Sequence, residues 1–363
     1  MKFKKSTKQS FITILMVVVL YTVMSILKSG GLLTYSLKGQ LVPICAYIVM
    51  ALSLNLTVGV LGELSLGHAG FMSIGAFTGA TVSMSLTGAI ESSLLRLIIA
   101  LAVGALIAAI FGFLIGLPVL RLKGDYLAIV TLAFGEIIKS IINCLYIGKD
   151  EAGLHFSLNS AEALGMTENG KIIINGPMGA INIQKISTFT VGFALVIITL
   201  LIIFTLVDSR AGRAIMAIRD NRIAAESVGI PITKYKMMAF VLSAALAGAG
   251  GALYSLNYST VVPSQFNYNT SILILVYVVL GGIGNMRGSI ISATVLVLLP
   301  ELLRAVDKYR MLAYAVVLII VMIITNNNKA KLAIAKAVSW ILTPVRRLIK
   351  KRTSTEEKEE ASI

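Results

Sequence analysis

The run LIIALAVGALIAAIFGFLIGLPV occupies residues 97–119 and carries no charged side chain. A helix needs about 20 apolar residues to cross the hydrocarbon core of a bilayer, so a run of this length predicts a membrane-spanning helix. The whole chain agrees, with 57% hydrophobic and 13% charged residues, whereas soluble domains average about 25% charged residues. The sequence therefore predicts an integral membrane protein.

Comparable apolar runs recur along the chain and predict an all-α, polytopic bundle of about ten transmembrane helices, with residues 1–363 forming one transmembrane domain. The run at 11–27 follows a basic start and lacks a small-residue cleavage site, so we expect it to be an uncleaved helix. The stretch 271–304 is short for two spans, and its helices could be re-entrant or shifted. The predicted spans are 11–27, 40–60, 64–86, 96–119, 126–147, 188–207, 237–257, 271–285, 289–304 and 311–325.

The basic residues predict the orientation of the chain. Of the 32 Lys and Arg residues, 22 fall on the side of both termini, 9 fall on the other side, and Lys139 lies within a span. Because basic residues accumulate in short cytoplasmic loops, both termini are predicted to be cytoplasmic. The segment 148–187 is then extracytoplasmic and the loop 208–236 cytoplasmic. The segment 329–363 is an amphipathic and acidic cytoplasmic tail, and its part from Lys329 to Arg352 is predicted either to lie on an anionic membrane surface or to form a helical cap on the bundle. With its basic residues placed between apolar runs, the net charge of +15 does not indicate nucleic acid as a partner.

We expect no metal and no cofactor in this chain. Cys45 and Cys144 both fall in apolar segments, which argues against a disulfide framework or a metal cluster. The sequence also contains no G-x-x-x-x-G-K-[ST] phosphate loop. Any ATP hydrolysis linked to this protein is therefore expected in another chain, which would hold the ATP and magnesium.

Small residues recur every four positions in the fourth predicted span. Ala100, Gly104, Ala108, Gly112 and Gly116 form one smooth ridge on a helix, which favours close contact between helix backbones. A narrow pore lined by these glycines is the alternative. The same spacing occurs at two further pairs of small residues, namely Gly75 with Gly79 and Ala244 with Gly248.

The segment ALSLNLTVGVLGELSLGHAGFMSIGAF, residues 51–77, is the first candidate functional segment. It combines five glycines with the polar residues Asn55, Glu63, Ser65 and His68 at the turn between two predicted spans. Glycine clusters allow a backbone to leave the helix where it lines a cavity, and ionisable groups within a membrane usually face protein or water. These side chains are predicted to line a substrate path, or else to lie at the cytoplasmic interface.

Glu136 and Lys139 lie three residues apart on one face of the fifth predicted span. An isolated charge at that depth is costly, whereas a paired charge is much less so. The pair is predicted to be either a structural ion pair or part of the substrate path.

The loop RAGRAIMAIRDNRIAAESVGIPITKYK, residues 210–236, predicts a helix from Ala214 to Val228 that stops at Gly229 and is sealed by Pro231. The helix has an Ala and Ile core and charged flanks. A helix of this kind between two spans suits docking into a groove of a partner. An ordinary basic cytoplasmic loop is the alternative. The flanking charges are those of Arg213, Arg219, Asp220, Arg222 and Glu226.

These segments, together with a glycine-rich one at 275–290, resemble the LivM-type permeases of the ATP-binding-cassette importers for branched-chain amino acids. The similar stretches cover most of residues 45–325. They read LNLTVGVLGELSLGHAGFMSIGAF (54–77), RLKGDYLAIVTLAFGEIIK (121–139), GRAIMAIRDNRIAAESVGI (212–230), KMMAFVLSAALAGAGGALY (236–254) and VVLGGIGNMRGSIISATVLVLLPELLR (278–304).

The resemblance implies a multi-pass protein of the bacterial plasma membrane in which the segment from Gly212 onward couples to a cytoplasmic ATPase. The implied partners are a second permease subunit, two ATPase subunits and an extracytoplasmic solute-binding protein. Two features depart from the family pattern. Position 63 is Glu where the pattern often has Gln, and GKDEAGLHF at 148–156 replaces a glycine-rich segment.

Three other functions fit the sequence. Similar permeases carry nucleosides, sugars, urea or short amides, so the chain could serve one of these solutes. A secondary transporter would use broken helices at mid-membrane, with Glu136 as its ionisable group. An intramembrane enzyme could use Ser65 with His68 or Glu63, because positions 65 and 68 can share a helical face.

Overall fold

The computed structural model describes residues 5–30, 34–122, 124–151, 153–166 and 170–303, and the positions 312, 315, 316 and 319. The chain divides into two compact units, Met1–Glu301 and Leu302–Ile363, and all contacts described below lie within the first. The predicted tenth span at 311–325, apart from those four positions, and the predicted tail at 329–363 lie outside the described residues.

A helix forms at each of the nine other predicted spans, and two shorter helices, α7 and α8, lie between the sixth and seventh spans. The helices are α1 (Lys5–Ser29), α2 (Tyr35–Asn55), α3 (His68–Ser85), α4 (Ser93–Val119), α5 (Asp125–Asn143), α6 (Phe189–Asp208), α7 (Arg210–Asp220), α8 (Arg222–Ser227), α9 (Ile232–Ser255), α10 (Tyr268–Gly281) and α11 (Met286–Leu302).

Four helical stretches among the described residues are long and apolar enough to cross a membrane. Their mean hydropathy over 18 residues ranges from 1.6 to 2.9, and they are Tyr35–Leu61, Ser93–Val119, Phe189–Asp208 and Ile232–Ser255. α10 and α11 are shorter, with 14 and 17 residues, as their short apolar runs predict. α5 ends at Asn143 rather than at the predicted 147, because strand β1 begins at Tyr146.

The prediction of an all-α fold is wrong between α5 and α6. Strands β1 (Tyr146–Lys149), β2 (Leu154–Ser157) and β3 (Lys171–Asn175) form an antiparallel sheet in the order β2-β1-β3. The β-branched run KIIIN at 171–175 favours a strand, and Ile173 and Ile174 are each only 1% exposed. Sequence reasoning weighed the turn signals of this segment and missed its strands. The predicted turn at Asn175-Gly176-Pro177 does end β3, where Gly176 has a φ of +48°, whereas Asn169 of the other predicted turn lies outside the described residues.

Helices α3, α4 and α9 pack against one another through their small residues. A Cβ added at Gly79 would lie 2.6 Å from Ala252 Cβ, and one added at Gly112 would lie 2.6 Å from Ala244 Cβ. The predicted ridge of α4 therefore lies at this contact. At Gly104 a Cβ would lie 3.1 Å from both Ala252 Cβ and the Gly75 carbonyl oxygen, and at Gly116 it would lie 2.7 Å from Met237 Sδ. Such close approach of backbones is the packing that small residues permit between membrane helices.

Candidate functional site

The first candidate segment begins with the end of an α-helix, which changes to a π-helix and then ends. α2 continues directly into a π-helix, Leu56–Leu61, which closes at Gly62 with a φ of +79°. The backbone N–H groups of Gly62 and Glu63 both donate to the carbonyl of Thr57. An irregular stretch follows before α3 begins at His68. Single-turn π-helices are rare and often lie at functional sites.

A buried cluster of hydrogen bonds centres on Ser243 of α9. Its hydroxyl donates to the Ser53 carbonyl at 2.5 Å, accepts from Thr57 Oγ1 at 2.8 Å and lies 3.0 Å from His68 Nε2. Because the carbonyl can only accept, the single proton of Ser243 is committed to it. His68 Nε2 must then carry a proton and donate it, which leaves His68 Nδ1 as an acceptor with no hydrogen-bond partner. The cluster joins the π-helix and the start of α3 to α9.

Asn55 joins the π-helix to the turn between α10 and α11. Its side-chain amide donates to Ser289 Oγ at 2.9 Å, and its carbonyl oxygen accepts from the Gly284 N–H at 2.8 Å. Asn55 is fully buried, so both ends of its polar group are satisfied inside the protein. Two of the candidate segments, which are more than 200 residues apart in the chain, therefore meet at this residue.

Glu63 forms an ion pair with Lys236 near the start of α9. The two side chains are 15% and 6% exposed, respectively. The ion pair joins the segment after the π-helix to α9. Loss of this contact is costly, because removal of one member leaves the other charge buried and uncompensated. The sequence predicted a functional role for Glu63 but not for Lys236, because no local sequence pattern connects the two residues.

Ser65 and His68 are not brought together as an enzyme would need. Ser65 Oγ is buried and has no hydrogen-bond partner, while His68 bonds Ser243. Ser65 also lies in the non-helical stretch before α3, so the expected shared helical face does not exist. Within the described residues there is no group of three or more His, Cys, Asp or Glu side chains that could hold a metal ion.

Glu136 and Lys139 form an ion pair on α5. The other carboxylate oxygen of Glu136 accepts from the backbone N–H of Tyr268, the first residue of α10, at 2.9 Å. The side chains of Lys139 and Glu136 are 24% and 32% exposed, respectively. Glu136, but not Lys139, lines a shallow cavity of about 500 Å³, together with Ile137, Ser140, Ile141, Cys144 and Leu158.

The predicted single helix at 214–228 is wrong in its limits, because two helices, α7 and α8, replace it. α7 begins at Arg210, and the chain breaks at Asn221, whose backbone is extended and whose side chain accepts from the Ala224 N–H at 3.0 Å. Asn favours such caps, and this signal was missed. Gly229 has a φ of +82°, a left-handed conformation that is typical of the glycine that ends a helix. Pro231 directly precedes α9.

The other residues of this segment that were predicted to couple to an ATPase differ in what they contact. Gly212 packs tightly against the end of α6, where a Cβ would overlap the Leu206 carbonyl. Arg213 donates to the Asp208 carbonyl at 3.1 Å, and Glu226 is exposed. Arg219 instead reaches back into its own chain and donates to the Gly59 carbonyl at 2.9 Å, while Asp220 accepts two further bonds from it.

Residues 36–325 match the sequence profile of the family described as the branched-chain amino acid transport system / permease component. The chain is 36% identical over 289 residues to the high-affinity branched-chain amino acid transport system permease protein LivM of Salmonella typhimurium. That match covers 76% of this chain and 66% of the relative, so the chain spans just under two thirds of the length of that protein.

More distant relatives have other solutes in their names. The nucleoside ABC transporter permease protein NupC of Lactococcus lactis is 26% identical over 212 residues, which is 53% of this chain and 59% of the relative. The ribose import permease protein RbsC of Escherichia coli is 26% identical over 295 residues, which is 77% of this chain and 82% of the relative. No solved structure matches the chain. The family match covers most of the chain and includes every contact of the site described above, and the chain therefore belongs to the branched-chain amino acid permease family of membrane proteins.

Proposed function

We propose that this protein is the transmembrane permease subunit of an ATP-binding-cassette importer for branched-chain amino acids. The observation that carries the proposal is the family match over residues 36–325, with two LivM proteins, of Salmonella typhimurium and Escherichia coli, as relatives at 35–36% identity. The site agrees with this function. Its polar residues tie helices to one another.

The proposed importer contains four further components. They are a second permease subunit, two cytoplasmic ATPase subunits that hold ATP and magnesium, and an extracytoplasmic solute-binding protein. This chain has no phosphate loop, so the energy of transport enters through the ATPases. The solvent-exposed face of α7 and α8, which includes Arg213 and Glu226, is the surface we assign to the ATPase. Glu226→Lys should reduce the ATPase that co-purifies with the chain without lowering its membrane abundance, and unchanged co-purification would remove Glu226 from this surface.

The proposed topology has ten spans in a bacterial plasma membrane, with both termini in the cytoplasm. It rests on the bias of basic residues, which favours the side of both termini. Reporter fusions after Lys38, Asn169 and Asn267 should be active outside, and fusions after Asn221 and Asn327 should be active inside. A reversed result at 169 or 221 would contradict this orientation.

The face of α5 that bears Glu136 and Lys139 is our proposed substrate path. A branched-chain amino acid is a zwitterion with an apolar side chain. The neighbouring carboxylate of Glu136 and ammonium group of Lys139 offer a partner for each of its charges, and Ile137, Ile141 and Leu158 line the cavity at Glu136. Charged groups within a membrane are expected to face water or protein rather than lipid. Because both side chains are partly exposed on this chain, we expect their exposed parts to face a water-filled path or a partner subunit.

A permease for nucleosides or ribose is the second candidate, because two relatives named for these solutes are 26% identical to the chain. The test is transport by the complete importer in proteoliposomes supplied with its binding protein. Labelled leucine should be taken up, unlabelled isoleucine and valine should compete, and uridine and ribose should not. Competition by uridine or ribose alone would establish the second candidate instead.

A further inference from the structure

We infer that Arg219 is a positioning residue that links α7 to α10 through the π-helix Leu56–Leu61, so that displacement of α7 is delivered to the Glu136 carboxylate. The inference rests on the proposed function, since it describes how a permease would respond to its ATPase. It is carried by contacts between parts of the chain that are far apart in sequence.

The first contact lies between α7 and the π-helix. Arg219 Nη1 donates to the Gly59 carbonyl across 160 positions of sequence, and its Nε and Nη2 both donate to Asp220 at 3.0 and 2.9 Å. The stem of the same side chain lies over Gly62, where an added Cβ would be 2.5 Å from Arg219 Cγ. Asp220 thus orients the guanidinium, and Gly62 leaves room for it.

The Gly59 carbonyl needs this donor because of where the π-helix ends. In a π-helix the carbonyl of residue 59 would accept from the N–H of residue 64, but the helix closes at Leu61 and the chain turns at Gly62. A carbonyl in the last turn of a helix has lost its own donor and takes one from elsewhere. The guanidinium of α7 occupies that position, so a movement of α7 acts directly on the end of the π-helix.

The second contact lies between the π-helix and the turn that follows α10. Asn55, the residue before the π-helix, bonds the Gly284 N–H and Ser289. Gly59 itself packs on Gly284, where a Cβ added at position 59 would lie 2.6 Å from Gly284 Cα. Gly59 therefore touches α7 through its carbonyl and the α10–α11 turn through its Cα.

The third contact lies at the far end of α10. α10 has 14 residues, which corresponds to a rod of about 20 Å at 1.5 Å per residue. Its first N–H, that of Tyr268, donates to Glu136. Because α10 is held by the π-helix near one end and by Glu136 at the other, a rigid displacement of α10 moves both ends together. A change at α7 thereby alters the carboxylate beside the proposed path.

The experiment compares Arg219→Ala with Arg210→Ala in the complete importer reconstituted in proteoliposomes. Arg210 is an exposed arginine at the opposite end of α7, where a loss of ATPase docking would lower uptake and hydrolysis together, so it serves as the matched control for their ratio. Four quantities are measured for each variant, namely membrane abundance, ATPase subunits retained, ATP hydrolysis and leucine uptake. A solely structural role for Arg219 would lower abundance, whereas a docking role would lower ATPase retention.

For Arg219→Ala we expect abundance, ATPase retention and hydrolysis within twofold of wild type, and uptake reduced at least tenfold, so that ATP consumed per solute rises at least fivefold. Arg210→Ala should leave that ratio unchanged. Uptake and hydrolysis that fall in parallel, or uptake that does not fall, would overturn the inference. If Arg219→Ala does not accumulate, Arg219→Lys decides the same question, because lysine keeps the charge but cannot bond Gly59 and Asp220 as a planar fork does. A wild-type importer without ATP-driven uptake of any solute would refute the proposed function itself, whereas only the ratio of variant to wild type tests the link.

Discussion

Two buried regions of the molecule are held together in different ways. The contact among α3, α4 and α9 consists of glycine and alanine backbones that touch directly, as at Gly79 and Ala252. The region around the π-helix is held by polar side chains, with Asn55 and Ser243 as its centres. The first kind of contact admits no additional atom, while the second, apart from the close packing of Gly59 on Gly284, can exchange one hydrogen-bond partner for another. We therefore expect the first region to be the fixed part of the permease and the second to be the part that moves.

The largest effect is expected at the contact between glycine backbones. A Cβ at Gly75 would overlap the Gly248 carbonyl, which is backbone and cannot rotate away. Gly75→Val should lower stability by about 3 kcal/mol or more, at or beyond the usual range for an overpacked core. Membrane abundance and thermal unfolding in detergent measure this. Gly39→Ala is the control, because nothing lies within 4 Å of the added atom, and it should be neutral or slightly stabilising. Equal behaviour of the two variants would contradict the packing.

A smaller loss is expected at the centre of the polar region. Ser243→Ala removes the acceptor of Thr57 and His68 and should reduce stability by about 2 kcal/mol, because buried donors are left unpaired. The control is Ser73→Ala, since Ser73 Oγ is buried without a hydrogen-bond partner and removal of an unpaired buried hydroxyl should be neutral or stabilising. The melting temperatures of the two variants, measured in the same detergent, test this difference in stability. If Ser73→Ala costs as much as Ser243→Ala, the cluster does not stabilise the fold.

A loss of stability of about 1 kcal/mol is expected at Glu136, which contacts the first residue of α10. Glu136→Gln keeps an oxygen for the Tyr268 N–H but removes the charge that compensates Lys139. Addition of Lys139→Met to the same chain should recover part of the loss, with a coupling of about 1 kcal/mol. This value is modest because both side chains are partly exposed and therefore screened. A double-mutant cycle of thermal stability and leucine uptake measures the coupling, and strictly additive losses would show that the charges act independently.

An effect of similar size is expected at the end of the segment from Arg210 to Gly229. Gly229 has a φ of +82° and open space around it, so a substitution there is opposed by backbone strain alone. Gly229→Val should cost about 1–2 kcal/mol, whereas Gly229→Asn should cost less, because Asn tolerates the left-handed conformation. Thermal unfolding of the two variants provides the comparison. A valine variant as stable as the asparagine variant would mean that the turn adjusts freely.

The sequence predicts the fixed region better than the movable one. Helix positions follow from apolar runs, and the ridge of Gly104, Gly112 and Gly116 follows from a spacing of four residues. Both are local patterns with a direct physical meaning. The polar residues Asn55, Glu63 and His68 could also be recognised, because such groups are rare in apolar segments.

Their partners could not be predicted, because each lies far away in the chain. Lys236, Ser243 and Ser289 are separated by 173 to 234 residues from the side chains that they bond, and nothing in their own surroundings marks them. The break at Asn221 and the strand at 171–175 differ, because each carries a local signal, an Asn cap and a β-branched run, that was present in the sequence and missed. Arg219 illustrates the difficulty, because its charge suggested a partner chain, whereas its guanidinium bonds Gly59 of the same chain.

The central claim is that this chain carries its solute with energy from separate ATPase subunits. The most direct measurement is leucine accumulation in proteoliposomes that contain the complete importer and its binding protein, with and without ATP on the side of the ATPases. The proposed function predicts accumulation that requires ATP, is abolished by an inactive ATPase subunit, and is unaffected by ionophores that dissipate proton and sodium gradients. Accumulation without ATP that collapses with those gradients would contradict it and would identify a secondary transporter.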